Sequence, residues 1–524
     1  MSLLLERERW RHPHDVLQSV FGHQAFRLQQ AEVIDHVLAG GDALVLMPTG
    51  GGKSLCYQVP ALLRQGLTVV ISPLIALMQD QVHALRLRGV RAATLHSNQN
   101  DDQARAVREA LHAGELEMLY VAPERMVSAS FIRLLRTVQV SLFAIDEAHC
   151  VSQWGHDFRP EYLALECLAK YWPGVPRLAL TATAAAQTRH DILQRLQLPS
   201  AKVFISGFDR PNIDYQIVHK TDVREQLLQF IESQHCGQAG IVYAATRARA
   251  QALASWLTRH GVRALPYHAG LDHQARADHQ TQFANQPGLV MVATIAFGMG
   301  IDKPDVRFVA HVDMPRSIEH YYQETGRAGR DGLPASAWLA YGMADALKRD
   351  SLARTSQASA SQSQRVLDAF DAMLGFAESL ACRRVTLLAH FGQDSAPCGH
   401  CDNCTLGARG DAAVDMTEAA QMMLSAIYRL WRERGQRFGS GHLIDIVRGK
   451  PTVRIVAQSH DTLSVFGVGA RWSVVTWRLL LRRLLAEQWL VPDDEGYGTL
   501  VMTPASVPVL RGQQKVLMRA SDID

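Results

Sequence analysis

Two continuous apolar runs, each stopping at a motif built for phosphate chemistry, constrain this chain more than any other feature. Ala43-Leu44-Val45-Leu46-Met47 opens onto Pro48-Thr49-Gly50-Gly51-Gly52-Lys53-Ser54, and Ser141-Leu142-Phe143-Ala144-Ile145 ends at Asp146-Glu147-Ala148-His149. A glycine-rich turn between strand and helix aims backbone N–H groups at phosphate oxygens, and the helix N-terminus adds a favourable dipole. In that frame Lys53 reaches the β- and γ-phosphates of a nucleoside triphosphate, and the Ser54 hydroxyl ligates Mg²⁺. Asp146 holds the metal's shell and Glu147 polarises the attacking water. Met47 stands where the strict loop pattern has Gly, so the phosphate-binding set runs Met47, Pro48, Thr49, Gly50, Gly51, Gly52, Lys53 and Ser54. Either motif alone arises by chance; both, in this order and each behind a buried-strand pattern, read as two halves of one triphosphatase site.

Between about residues 40 and 345 short apolar runs alternate with helix-like stretches. Thr68-Val69-Val70-Ile71, Arg177-Leu178-Ala179-Leu180, Gly240-Ile241-Val242-Tyr243 and Leu289-Val290-Met291-Val292 are examples. Runs that are continuous rather than alternating imply a parallel sheet covered on both faces, the α/β doubly wound class. The stretch is too long for one lobe, and Gly207-Phe208-Asp209-Arg210-Pro211-Asn212 offers a break. The 524 residues suggest about three or four domains. We divide them at 1–207, 208–345, 346–410 and 411–524. Residues 351–364, rich in Ser, Ala, Gln and Arg, read as a solvated connector or helix end.

With 47% hydrophobic and 20% charged residues, the composition is that of a soluble protein with substantial cores. A net charge of +3 is too small to argue for nucleic acid by itself, so any basic surface has to be local. No apolar run reaches the length of a membrane span, and Met1-Ser2-Leu3-Leu4-Leu5-Glu6-Arg7 lacks a signal-peptide plan. The expectation is a cytoplasmic protein with no membrane partner. In the second lobe, Gln323-Glu324-Thr325-Gly326-Arg327-Ala328-Gly329-Arg330 carries two arginines three apart, able to face one cleft from a single helical turn. Guanidinium groups delivered from across a cleft meet the charge that develops on a transferred phosphoryl group. Arg327 and Arg330 are therefore catalytic candidates, and such a finger makes hydrolysis depend on lobe closure.

Of eight cysteines, Cys56, Cys150, Cys167 and Cys236 are scattered, while Cys398, Cys401 and Cys404 stand at three-residue intervals with Cys382 a helix-length upstream. Four thiols converging on one ion make a closed, structural Zn²⁺ site. His400 is a rival donor, but residues beside it already belong to the ligand run. Further on, Met423, Ile427, Leu430 and Trp431 form one helical stripe, and Val474, Trp477, Leu481 and Leu485 another behind a candidate N-cap, Ser473. Trp489-Leu490-Val491 and Leu500-Val501-Met502 flank a turn containing Asp493, Asp494, Glu495 and Tyr497. Helices followed by a two-stranded ribbon suggest a winged helix, whose acidic tip should repel phosphate.

Taken in order, these motifs resemble those of the RecQ family of DNA helicases, within helicase superfamily 2, over nearly the whole chain. Ser72-Pro73-Leu74, Pro123-Glu124-Arg125 and Thr181-Ala182-Thr183 match the first lobe's motifs, and Phe297-Gly298-Met299-Gly300-Ile301-Asp302-Lys303-Pro304 matches the second's. The resemblance implies two RecA-like lobes, a zinc-binding helical module with Cys382, Cys398, Cys401 and Cys404 as ligands, and a winged-helix domain. It assigns adenine reading to Arg27 and Gln30, where Leu28 and Gln29 replace the family's usual Pro-Gly. It also makes Ser152-Gln153-Trp154-Gly155-His156-Asp157-Phe158-Arg159-Pro160 an aromatic-rich loop that senses single-stranded DNA. Within that loop Trp154, His156, Phe158 and Arg159 are the coupling candidates, since aromatic faces stack on any base.

The implied activity is ATP- and Mg²⁺-dependent unwinding of DNA with 3′-to-5′ movement in repair, recombination or replication. DNA, single-stranded or as tailed or forked duplex, is the expected partner, with a single-stranded-DNA-binding protein as a second; the oligomeric state stays open, with a monomer favoured over an oligomer. Many relatives continue into a further small helical domain after the point where this chain ends, which puts a preference for branched DNA in doubt. Two other readings are an RNA helicase and a DNA-binding scaffold with a vestigial ATPase. The zinc cluster and aromatic loop weigh against the first, and the complete set of catalytic side chains against the second.

Overall fold

The computed structural model describes residues 10–96, 99–152, 158–294, 297, 303–347, 360–408, 413–493, 499–520 and 523. In the first lobe the apolar runs become β1 (Ala43–Leu46), β2 (Leu67–Ile71), β3 (Ala92–Leu95), β4 (Met118–Val121), β5 (Val140–Ile145), β6 (Arg177–Thr181) and β7 (Lys202–Ile205). They form one parallel sheet in the order β3-β4-β2-β5-β6-β1-β7. Every residue of β1, β2, β5 and β6 is buried. Successive side chains of a strand point to opposite faces. Leu44 and Leu46 thus enter one core while Ala43 and Val45 enter the other, which is why the run is apolar throughout. Because β6 lies between β5 and β1, their C-terminal ends bring Asp146, Thr181 and Pro48 side by side.

The second lobe repeats the plan. β8 (Ile213–His219), β9 (Gly240–Tyr243), β10 (Ala264–Tyr267), β11 (Val290–Ala293), β12 (Phe308–His311) and β13 (Ala335–Tyr341) form a parallel sheet in the order β10-β11-β9-β12-β13-β8. The connecting segment is anchored rather than loose. Phe208 stacks on Phe391 at 4.8 Å between ring centroids, and its N–H donates to Gln393 Oε1 at 2.6 Å. The Tyr322 hydroxyl donates to the Phe208 carbonyl at 2.7 Å, and Arg384 pairs with Asp209.

Three helices, Ala360–Glu378, Arg383–His390 and Asp402–Ala408, follow. The buried Arg383 guanidinium joins all three. It donates to the Asp402 carboxylate and to the carbonyls of Phe376, Ala377 and Ser379. Such a charge-assisted set is strong because each donor has an acceptor.

The last unit holds the helices Thr417–Arg434, Ser440–Val447 and Val474–Ala486, with β15 (Leu490–Pro492) and β16 (Leu500–Met502) paired antiparallel as the wing. Preceding and closing it, β14 (Ala413–Asp415) and β17 (Leu517–Arg519) pair antiparallel. Ser473 caps the third helix, its hydroxyl accepting the Thr476 N–H at 3.1 Å, and Trp477, Leu481 and Leu485 are buried. The other expected stripe is only partly right. Met423, Ile427 and Leu430 are buried, but Trp431 is 50% exposed, because it lies one residue (about 100°) around the helix from Leu430. At the wing, Asp493 is paired with Arg437 at 2.7 Å; Asp494, Glu495 and Tyr497 lie outside the described residues.

Candidate active site and metal centre

The phosphate loop has the backbone its sequence demands. Gly50 and Gly52 sit at φ +82° and +75°, where L side chains are strained, and a Cβ on Gly51 would lie 2.9 Å from the Pro48 carbonyl. Lys53 curls back so that its ammonium donates to the carbonyls of Met47 (3.1 Å) and Pro48 (3.5 Å). Ser54 opens the helix Leu55–Leu63. Burial pulls the Lys53 ammonium below its usual pKa, against the opposing charges of Glu147 and Asp146.

Two residues after β5, Glu147 adopts φ +48°, an uncommon conformation for a residue with a side chain. Its carboxylate lies 3.2 Å from His149 Nδ1, which is also 2.9 Å from Thr181 Oγ1. The acidic motif and the Thr181-Ala182-Thr183 motif are thus in direct contact. Burial would push the Glu147 carboxyl up, but the hydrogen bond and charge of His149, with Lys53 and Arg327, bring it below its usual value. Asp146 behaves oppositely: burial and the Glu147 charge raise it to about 7. Its carbonyl accepts the Tyr162 hydroxyl at 2.9 Å. The half-buried Asp146 carboxylate is the kind of oxygen donor that a hard ion such as Mg²⁺ takes.

The second lobe reaches this site, though not in the way the arginine spacing suggested. The helix Ile318–Thr325 ends before either arginine, so Arg327 and Arg330 ride on the turn beyond it rather than on one helical turn. Both still face the cleft. A Cβ on Gly50 would lie 3.3 Å from Arg330 Cγ, and one on Gly326 would lie 3.4 Å from Thr49 Cβ. Arg327, 4% exposed, acts on the Glu147 charge.

Gln30 is buried against the loop. Its amide donates to the carbonyls of Gly51 (3.1 Å) and Gly52 (3.0 Å) and accepts the Arg27 N–H at 2.8 Å. Here it braces the phosphate loop, with its amide N–H groups facing loop carbonyls. The Arg27 side chain is exposed. Trp154 and His156 lie outside the described residues, whereas Phe158 is half-buried. Arg159 donates to the Pro73 carbonyl at 3.0 Å, tying the end of the aromatic-rich loop to another first-lobe motif.

The four sulfurs of Cys382, Cys398, Cys401 and Cys404 all lie within 4.8 Å of one another. Adjacent Sγ separations of 3.5, 3.9 and 4.0 Å bracket the roughly 3.8 Å edge of a tetrahedron with about 2.3 Å Zn–S bonds. The Cys398 and Cys401 N–H groups point at Sγ of Cys382 and Cys398, as donors to thiolates do. His400 turns away, 42% exposed at its side chain and 3.2 Å from Asp214.

Family comparisons cover the two lobes, the cysteine cluster and the last unit. Residues 27–192 match the DEAD/DEAH box helicase family and 222–332 the helicase conserved C-terminal domain. Residues 343–405 match the RecQ zinc-binding family and 411–523 the RQC domain. The ATP-dependent DNA helicase RecQ of Pasteurella multocida is 46% identical over 95% of this chain and 78% of its own length. The chain belongs to the RecQ family of ATP-dependent DNA helicases. RecQ proteins of Haemophilus influenzae (45% identical, 95% of this chain and 80% of that protein) and Bacillus subtilis (38%, 96% and 84%) are similarly related.

Solved structures support the fold of this RecQ-family chain. The DEAD-box helicase Mss116 bound to single-stranded RNA superposes with a TM-score of 0.54 at 16% identity, covering 71% of this chain and 84% of that one. The helicase MrfA bound to DNA gives 0.54 at 16%, covering 78% and 62%. Among the described residues no helix is long and apolar enough to cross a membrane. Two residues without a role assigned from the sequence matter here: His149, the last residue of the acidic motif, and Arg210, in the inter-lobe segment, whose guanidinium donates to the Thr49 and Gly326 carbonyls. A histidine two residues after a catalytic carboxylate candidate was a legible signal; an arginine that works through carbonyls was not.

Proposed function

We propose that this chain hydrolyses ATP with Mg²⁺ to move 3′ to 5′ along single-stranded DNA and to separate the strands of a tailed or forked duplex. The observation that carries this reading is the meeting of two lobes at one loop: Arg330 packs on Gly50 while Lys53, Asp146 and Glu147 converge behind it. In this reading Lys53 and the loop N–H groups bind the β- and γ-phosphates, and Ser54 and Asp146 hold Mg²⁺. When bound, that ion neutralises phosphate charge. Glu147, held by His149, orients the attacking water and accepts its proton. Arg327 and Arg330 meet charge on the γ-phosphoryl group only when the lobes are closed, so each turnover alternates closed and open states. Arg27 and Gln30 are the adenine-reading candidates, Gln30 doing so by exchanging its loop-carbonyl contacts for the base edge, and Trp154, His156, Phe158 and Arg159 relay single-stranded DNA to the site. Zinc on the four cysteines is structural, because a Cys₄ set leaves no open coordination position. A role in DNA repair, recombination or replication, and a location with the cell's DNA, are consistent with this activity.

Strand displacement on matched duplexes with a 3′ or a 5′ single-stranded tail tests this function. Unwinding of only the 3′-tailed duplex is expected. Unwinding of only the 5′-tailed one would overturn the polarity. Lys53→Ala should abolish turnover and leave DNA binding intact; normal hydrolysis in that variant would sink the site assignment.

A further inference from the structure

The segment between the lobes holds one side chain that touches both halves of the ATP site. Arg210 Nη1 donates to the carbonyl of Thr49 in the first lobe's phosphate loop (3.0 Å) and to that of Gly326 in the second lobe (2.9 Å). Its Nη2 donates to the carbonyls of Ala328 (2.7 Å) and Gly329 (3.0 Å). One guanidinium thus takes four backbone carbonyls, three of them flanking Arg327 and leading to Arg330. Those three lie in the turn just beyond the C-terminus of the helix Ile318–Thr325, the negative end of its dipole, where a cation is favoured. Asn212, two residues on, completes the grip: its Nδ2 donates to the carbonyls of Gly329 (2.8 Å) and Leu333 (2.9 Å). Gly329 takes φ +57°, and a Cβ there would come within 2.7 Å of the Leu333 carbonyl, so the turn cannot easily rearrange around another side chain.

We infer that Arg210 is a positioning residue for ATP hydrolysis, clasping the arginine-bearing turn of the second lobe against the phosphate loop of the first. It acts through the backbone it holds, all four of these contacts being to protein carbonyls. Its place in the connection between lobes makes the clasp sensitive to their relative position. Phe208 and Asp209, bonded to Gln393 and Arg384, tie the same segment to the zinc module. A rigid planar fork suits four carbonyls from two directions; a lysine ammonium has three donors on one atom and cannot span them.

This inference rests on the ATP-site reading above, and the experiment separates the two. Steady-state ATPase of the full chain at saturating single-stranded DNA is measured across ATP concentrations for the wild type, Arg210→Ala, Arg210→Lys and Lys53→Ala. Nucleotide affinity is measured separately with a fluorescent ATP analogue, and zinc content and circular dichroism report folding. Arg210→Ala should lower kcat by roughly 10- to 100-fold, the scale of a misplaced catalytic group, with KM and nucleotide affinity within about threefold of wild type. Arg210→Lys should recover part of kcat. A kcat for Arg210→Ala within about twofold of wild type overturns the inference, as does a loss of nucleotide affinity as large as the loss of kcat. If Arg210→Ala does not fold, Arg210→Gln, which keeps much of the volume and loses the fork, is held to the same kcat-against-KM criterion. An inactive wild type, or an active Lys53→Ala, defeats instead the ATP-site reading.

Discussion

His149 holds Glu147: the imidazole Nδ1 lies 3.2 Å from the carboxylate, while Glu147 itself sits in left-handed backbone at φ +48°. A residue kept in a sparsely populated conformation needs surrounding contacts that fix it, and such strain gathers at functional sites. The imidazole and the backbone together aim one carboxylate oxygen. Glu147→Gln keeps the shape and removes the base. Its kcat should fall by about 10²- to 10⁴-fold, the usual contribution of a positioned general base. ATP affinity should persist, as Lys53 and the loop are untouched. Near-normal turnover would reassign the base.

The zinc centre makes a prediction about order rather than rate. A structural ion of this kind is bound together with folding, so its removal costs many kcal/mol. Chelation, or Cys398→Ser, should strip zinc and collapse hydrogen-exchange protection in Arg383–His390 and Asp402–Ala408 by about 10³-fold or more. Retained protection in zinc-free protein would show that Arg383 and its ion pair suffice to hold the module.

The central strands and the acidic motif that follows β5 are readable in the sequence because their physics is local. β1, β2, β5 and β6 are buried on both faces and show it as unbroken apolar runs. The edge strands β7 and β10 gave no comparable signal. Lys202–Ile205 is exposed at three of its four positions, and Ala264–Tyr267 is half-buried and contains Pro266. Trp431 was misread since helical periodicity gives the face only to within about one residue's rotation. Lys53 and Glu147 were visible through motif spacing, but the brace of Gln30 and the clasp of Arg210 are made to backbone carbonyls, which every residue carries.

In the winged helix, His442 stacks on Phe438 at 4.0 Å and lies 2.9 Å from His460, whose other nitrogen meets Gln436 at 2.8 Å. Burial, then the nearby His460 and Arg454, lower the His442 pKa to about 4, with Asp445 opposing. In the unfolded chain it returns to 6.5. Between those values the unfolded chain holds a proton that the folded domain lacks, so stability is full above pH 6.5 and declines as the pH falls towards 4. The unfolding temperature of the wild type should drop across that window. His442→Gln, which keeps a hydrogen-bonding amide near His460, should flatten much of the drop; an unchanged profile would place the sensitivity elsewhere.

Arg482 joins three units through one buried side chain. It pairs with Glu378 at the end of a zinc-module helix, its Nη2 lies 2.6 Å from His219 Nδ1 of β8, and its guanidinium sits 4.4 Å from the Tyr341 ring of β13. The neighbouring Arg483 donates to the Glu378 carbonyl at 2.5 Å, so the winged helix is attached to the same corner twice. Removing one partner of a buried ion pair leaves the other without its counter-charge, which typically costs about 3–5 kcal/mol, whereas replacing both by apolar groups is often neutral. Arg482→Ala should therefore destabilise the chain by that amount in chemical denaturation and raise hydrogen exchange along Val474–Ala486. Arg482→Met combined with Glu378→Met should recover most of the loss. ATP hydrolysis on single-stranded DNA should change little in either variant, because the corner touches neither the phosphate loop nor the arginine-bearing turn. If the double variant is as unstable as the single one, packing on Tyr341 rather than the ion pair holds the winged helix in place.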